Sequence, residues 1–190
     1  VSILIKLLGC RNLRIVWNIH SKGDYLRLKS KIIFLLAGIF SRFVPDKILF
    51  ASLDAQRYHQ KMLWSKKRSL VFRHGLSVAK FAPKVKKSVG GKLRIGSVGR
   101  YDPVKNHHQF VRSITNLPKK TIEQVEFHFF GVTAKELFQI MDKSKVSRVS
   151  NAIRARGFVT QTDAIFNEFD ILFIHSRSEA MPLVFLEAVE

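Results

Sequence analysis

The chain holds 190 residues, 46% of them hydrophobic, enough for one large or two small packed domains and too many for a disordered segment. It has one cysteine, Cys10, which excludes an internal disulfide or a cysteine zinc cluster and is compatible with a reducing compartment. The formal charge is +19, and the longest apolar run, residues 32–40, falls far short of the ~20 residues that cross a bilayer as a helix.

The charge is unevenly spread. Residues 1–90 hold 19 Lys and Arg against 3 Asp and Glu, net +16, whereas residues 91–190 hold 14 against 11, net +3. One lobe therefore faces something anionic: a lipid headgroup surface, a lipid-linked or acidic glycan acceptor, or nucleic acid. The opening residues lack the order of a signal peptide, and a chain that begins without Met and stops inside an expected helix reads as a fragment.

In chain order, residues 14–20 predict a strand running into a polar loop, with His20 at the strand's carboxyl end. Between residues 26 and 43, Ile32, Ile33, Leu35, Leu36, Ile39, Phe40 and Phe43 recur at helical spacing with Lys and Arg between them. The preferred reading is a core helix with a basic solvated face; a membrane-surface helix is the alternative. Residues 47–52 predict a short strand, Asp54 is the expected N-cap of a helix reaching about Trp64, and residues 69–73 predict a further strand. Pro83, a Lys-rich run and the pair Gly90 and Gly91 mark the one clear linker, so the expected division is 1–81, a linker 82–91, and 92–190.

Residues 93–99 predict a strand, and residues 100–107 its exit loop into a helix near Asn106. Arg100 and Lys105 set two cations at the glycine-bearing turn of Gly99, a pattern suited to a diphosphate, with Arg supplying a fork and Lys a point charge. An ordinary turn with surface cations would read the same way. His107 and His108 are expected on the helix surface rather than at a metal, because adjacent helical side chains point about 100° apart and no third ligand is evident.

Residues 126–131 predict a buried strand ending at a glycine, followed by a helix over about 134–141. Residues 152–158 predict a short strand ending at Gly157 and Phe158, residues 163–168 a brief helix, and residues 171–174 a buried parallel strand. This alternation predicts a parallel sheet with helices on both faces and a ligand crevice beyond the strands' carboxyl ends. Pro182 suits the first position of a last helix, with Glu179 in the loop before it and Glu187 about 8 Å along it. The free N–H groups and the positive dipole end of the helix that starts at Pro182 would seat an anion, and a carboxylate beside them would accept hydrogen bonds from hydroxyls. A nucleotide sugar presents both chemistries.

Two of these motifs resemble one family. Ser-Glu-Ala-Met-Pro-Leu-Val-Phe-Leu-Glu-Ala, residues 178–188, looks like the paired-glutamate signature of the family 4 glycosyltransferases, retaining enzymes of the GT-B fold. Gly-x-Val-Gly-Arg-x-x-x-x-Lys, residues 96–105, resembles their diphosphate-binding loop. Residues 74–81 resemble a third segment, although His74 and Ser77 replace its usual Asn and Asp.

The resemblance implies an α/β chain with two Rossmann-like domains, both incomplete: the carboxyl part of an acceptor-side domain over 1–81 and a nucleotide-sugar domain over 92–190. It implies a nucleotide-diphosphate sugar as donor, a glycan or lipid-linked acceptor, no required metal and no nucleic acid. Arg100 and Lys105 would neutralise the diphosphate at Gly99, Gly157 and Phe158 would lie beside the base, and Glu187 would bind the ribose. Glu179 and His20 would contact the donor sugar, with Ala180, Met181, Pro182 and Leu183 along the donor. Ala180 stands where many relatives have Gly. The expected setting is cytoplasmic, on the inner face of a membrane, in surface-polysaccharide synthesis, and the isolated fragment is expected to be inactive. A basic nucleic-acid-binding protein and an inactive sugar-nucleotide scaffold are the competing readings, though no interleaving of aromatic and basic residues supports the first.

Overall fold

Every strand pairing in the computed structural model is parallel. The structure describes residues 13–26, 28–73, 75, 91–141, 143–160 and 165–189. It divides into a first unit, Val1–Gly75 with Ser178–Leu183, and a second, Leu76–Arg177 with Val184–Glu190. The expected linker and the segment 74–81 lie outside the described residues, apart from Gly75 and Gly91.

In the first unit, β1 (Val16–Ile19), β2 (Lys47–Phe50) and β3 (Ser69–Val71) form a sheet in the order β1-β2-β3. Two helices accompany them, α1 (Leu28–Phe40) and α2 (Leu53–Lys61). The N-cap of α2 is Ser52, not Asp54: Ser52 is extended at φ −148° and its hydroxyl accepts the Ala55 N–H at 3.2 Å. Asp54 sits within the first turn, where its carboxylate meets Lys22 instead. Ile48, Phe50, Ala55 and Trp64 make the core, with Trp17, Phe34, Ala37 and Ala180 packed against it. His59 is buried among these rings, which pushes its pKa down, and its Nδ1 lies 2.8 Å from the Ala55 carbonyl.

The expectation that α1 is a core helix is overturned. Leu28, Ile32, Ile33, Leu36, Ile39 and Phe40 are all exposed, as is Phe43 beyond the helix. Only Phe34, Ala37 and Gly38 face the sheet, at the spacing that puts residues on one side of a helix. A Cβ on Gly38 would stand 2.7 Å from the Met62 carbonyl oxygen, so this close seat needs glycine. The apolar stripe is wider than the one face that a helix can press on one sheet.

The second unit holds β4 (Leu93–Val98), β5 (Val125–Phe130), β6 (Ile153–Gly157) and β7 (Ile171–Leu172), in the order β6-β5-β4-β7. Between them run α3 (His107–Thr115), α4 (Lys119–Gln124), α5 (Ala134–Ile140) and the single turn α6 (Val146–Val149); α7 (Leu183–Val189) follows β7. Alternation along β5 divides the core. Phe127 and Phe129 pack with Phe110, Ile114, Leu137 and Val149, while Phe130 packs with Ile165 and Phe169.

β7 is parallel as expected but stands last in the order of the described strands, and Ile171, Phe173 and Ile174 are exposed rather than buried. Asp170 starts it beside β4 by accepting from the Arg94 backbone N–H at 2.9 Å and from its guanidinium at 2.7 Å. The helix expected over 163–168 begins on residues outside the description. Among the described residues, no helix is long and apolar enough to cross a membrane.

Gly96, in the middle of β4, has the Phe169 ring where a side chain would be, with a built Cβ 2.2 Å from Phe169 Cδ1. Gly96→Ala is therefore expected to lower the unfolding free energy by about 1–3 kcal/mol, the usual cost of overpacking, as read from urea denaturation midpoints.

Candidate functional site

β4 is the strand from which the second sheet grows both ways: β5, next in sequence, lies on one side and β7 on the other. In open parallel sheets such a switch point leaves a crevice beyond the carboxyl ends of the strands, because the two neighbouring loops run apart. The loops that leave β4 and β7 here begin at residues 99 and 173.

The first loop carries the two expected cations. The Gly99 N–H donates to the Phe130 carbonyl at 2.9 Å, and the Asp102 carboxylate accepts the Val104 N–H at 2.9 Å, which caps a 3₁₀ turn over Pro103–Lys105. That turn folds the Lys105 stem back over Gly99, where an added Cβ would stand 3.4 Å from Lys105 Cδ and Cε. Arg100 is 83% exposed, with its guanidinium 3.6 Å from Asp102. Its fork faces solvent at the strand end.

Two further loops close on the same edge. Gly131 takes φ +83°, and a Cβ there would stand 2.7 Å from the Gly99 carbonyl oxygen. Only glycine meets both demands. The Gly131 N–H donates to the Gly157 carbonyl at 2.6 Å, and the Gly157 N–H donates to the Val132 carbonyl at 3.1 Å. Gly157, at φ +65°, then turns Phe158 out to 85% exposure. Gly99, Arg100, Lys105, Gly157 and Phe158 thus stand along one row of strand ends.

A hydrogen-bonded clamp ties the β4 loop to the β7 loop, and sequence reading missed it. Asn106 has left-handed backbone, φ 59° and ψ 33°, and ends the 3₁₀ turn while starting α3. Its side-chain oxygen accepts from Arg177 Nε at 3.0 Å, and its amide nitrogen donates to the His175 carbonyl at 3.3 Å. The Arg177 N–H donates to the Val104 carbonyl at 2.8 Å. Beneath these bonds Ser97 Oγ meets His175 Nε2 at 2.7 Å, and the His175 ring stacks on Phe110 with centroids 4.7 Å apart. The only sequence signal was an Asn at a loop-to-helix junction, a residue type that tolerates left-handed backbone.

His107 corrects a further expectation. It is 2% exposed and turned inward, while His108 faces solvent; a 100° step between neighbours makes that division. The Arg100 carbonyl accepts from His107 Nε2 at 3.1 Å, so the ring holds the backbone of the cation loop from behind. Burial lowers the pKa of His107 and takes His175, edge-on at 4.9 Å, down to about 4, with the neighbouring His107 as a second cause. Both rings are neutral near pH 7. A cleft of about 250 Å³ opens beside them, walled by Tyr101, Pro103, His108 and Arg177.

The remaining expected residues divide between the units. Glu187 is half-buried on α7, which begins at Leu183 and leaves Pro182 just before it rather than in its first position; Glu187 belongs to the second unit. Glu179, Ala180, Met181, Pro182 and Leu183 group with the first unit. There Ala180 packs on the Ile48, Phe50 and Trp64 core, and the Ser178 hydroxyl donates to the Asp24 carboxylate in the loop after β1. His20, directly after β1, is exposed. Among the described residues, no group of three His, Cys, Asp or Glu could hold a metal ion.

Residues 79–190, more than half of the chain, match the family described as glycosyl transferases group 1. The chain belongs to this family. Among curated proteins, none matches its sequence. Solved structures of similar fold include HepE of Anabaena in complex with UDP-glucose, at 18% identity and a TM-score of 0.74, covering 98% of this chain and 53% of that one. WaaG, a glycosyltransferase involved in lipopolysaccharide biosynthesis, is similar at 14% identity and a TM-score of 0.71 over 98% of this chain and 60% of its own. An S. aureus TarM variant in complex with UDP follows at 14% and 0.72, over 95% and 36%. This group 1 chain therefore has the α/β GT-B fold, parallel sheets flanked by helices, and spans from about a third to three-fifths of the length of these structures.

Two outcomes are expected from the clamp. Asn106→Ala, which loses two hydrogen bonds and strains a left-handed residue, is expected to cost about 2 kcal/mol of unfolding free energy in denaturant titration, and Asn106→Gly, free of the strain, about 1 kcal/mol. For His175 the folded pKa, about 4, lies below the ordinary 6.5, so the stability of its neutral burial is complete above pH 6.5 and is lost as the pH falls toward 4. His175→Gln is expected to flatten that part of the stability profile relative to the parent chain, as read from urea midpoints across this range.

Proposed function

We propose that this chain is part of a retaining, family-4-like glycosyltransferase that moves a sugar from a nucleotide-diphosphate donor to a glycan or lipid-linked acceptor. The observation that carries this reading is the pair of cations, Arg100 and Lys105, on the loop leaving β4 at the switch point of a parallel sheet. Membership of the group 1 family supports it, as do similar structures that hold UDP or UDP-glucose.

In this reading Arg100 and Lys105 neutralise the diphosphate, and Gly99 lets the phosphates approach the backbone. Negative charge grows on the leaving oxygen as the sugar departs, so cations fixed beforehand stabilise the transition state more than the ground state. Gly157 and Phe158 lie beside the base. Glu187 accepts from the ribose hydroxyls, Glu179 and His20 orient the donor sugar, and Ala180, Met181, Pro182 and Leu183 line it. No metal is required, because the two side chains carry the compensating charge.

The second unit is then the nucleotide-sugar domain and the first the acceptor-side domain. The basic first unit, with the exposed apolar residues of α1 next to Lys29, Lys31 and Arg42, supports a setting at an anionic membrane surface and a role in cell-surface polysaccharide synthesis. Among the described residues, no recognition helix or aromatic sheet face favours nucleic acid as the partner.

Isothermal titration of the chain with UDP and with UDP-glucose tests the assignment. Arg100→Ala is expected to weaken both about 10- to 100-fold, the range for losing a hydrogen bond to a charged group. Glu187→Ala is expected to weaken both about tenfold, while Glu179→Ala spares UDP and weakens only UDP-glucose. UDP affinity unchanged by Arg100→Ala would contradict the proposal.

A further inference from the structure

We infer that the first unit carries a separate binding pocket for a phosphate ester, walled by Lys22, Arg57, Tyr58, Lys61 and Lys66. The concavity measures about 610 Å³, within the ~300–1,000 Å³ typical of small-molecule sites. It lies wholly within the first unit and draws on nothing in the nucleotide-sugar reading.

The chemistry of the wall points to an oxyanion. Lys22, Arg57, Lys61 and Lys66 supply four cations against the single carboxylate of Asp54, and the other two lining residues, Tyr58 and Gln60, both offer a hydrogen-bond donor. Asp54 is already engaged by Lys22 at 2.7 Å, and Asp24 holds the same ammonium at 3.6 Å. Lys22 is thereby anchored at the end of the pocket nearest the start of α2, and the carboxylate that would repel an anion is neutralised.

The other three cations have no such anchor, unlike three arginines on the strands of the second sheet. Arg94, Arg154 and Arg156 pair with Asp170, Glu126 and Glu168. Arg57, Lys61 and Lys66 have no carboxylate partner among the described residues. Arg57 and Lys61 stand four apart on α2, a spacing at which like charges repel, and Lys66 joins them from the turn after that helix. A solvated basic face needs no such convergence on one concave wall, whereas a bound phosphate would relieve the repulsion and accept from Arg, Lys and Tyr together.

Titration with inorganic pyrophosphate, followed by backbone amide NMR of the whole chain, reads this pocket and the Gly99–Lys105 loop separately. Shifts at Arg57, Lys61 and Lys66 that saturate at or below millimolar pyrophosphate are expected, whatever happens at the loop. Arg57→Gln combined with Lys61→Gln, on an exposed helix face, should weaken that binding at least tenfold, while Lys119→Gln with Lys120→Gln should leave it unchanged. Glucose 6-phosphate binding at the same amides would assign a soluble phosphate ester. Cosedimentation with phosphatidic acid vesicles that the Arg57 and Lys61 variant abolishes would assign a lipid headgroup, and either result supports the pocket. Absence of shifts at these residues overturns it. So does equal weakening by the Lys119 and Lys120 variant, or binding of a short DNA duplex that is as sensitive to the Arg57 and Lys61 variant as pyrophosphate, since either would mark a diffuse polyanion surface.

Discussion

Asn106 keeps its backbone in a left-handed turn and spends both ends of its side-chain amide on the loop opposite. Everything at the cation loop depends on that turn. It stops the 3₁₀ segment at Lys105, so the lysine stem lies over Gly99, and it starts α3 with His107 facing inward beneath the Arg100 carbonyl. The backbone that carries the two cations is therefore held from below and from the side.

The row of strand ends is equally constrained by what is absent. At Gly131 a methyl group would meet the Gly99 carbonyl, and Gly131 and Gly157 bond to each other's loops through backbone alone. Close approach of three loops leaves a ledge with Arg100 and Phe158 projecting from it. Beneath the ledge the aromatic packing of Phe110, Phe129, Phe173 and His175 extends the core up to the loops. Loops carried on a packed floor are the usual division of labour in α/β sites.

The first unit is organised by different forces. Its core is a cluster of rings around Trp64, closed by a glycine on α1 that admits the helix to the Met62 carbonyl. Its charge is almost all of one sign, so cations here are satisfied by few carboxylates: Lys22 takes both Asp24 and Asp54. The surplus on α2 and the broad apolar surface of α1 both leave chemistry facing outward.

Much of this was legible along the chain. Strand and helix order, parallel pairing, the cation loop after β4 and the glycine turn after β6 follow from local patterns: apolar runs of strand length, glycines at strand exits, and Arg and Lys at fixed offsets. Those signals are local because backbone geometry and short-range sterics create them. Burial was a different matter. α1 reads as a core helix because its apolar stripe is wide, yet only tertiary packing decides which strip touches the sheet; β7 reads as buried, yet it stands last in the order of the described strands and Ile171 is exposed. His107 looked like helix surface until the helix was docked, and the clamp from Asn106 to His175 and Arg177 joins residues about 70 positions apart. The sequence by itself determined the elements and the charged loop; which faces are covered, and how that loop is held, required three-dimensional contacts that no local pattern encodes.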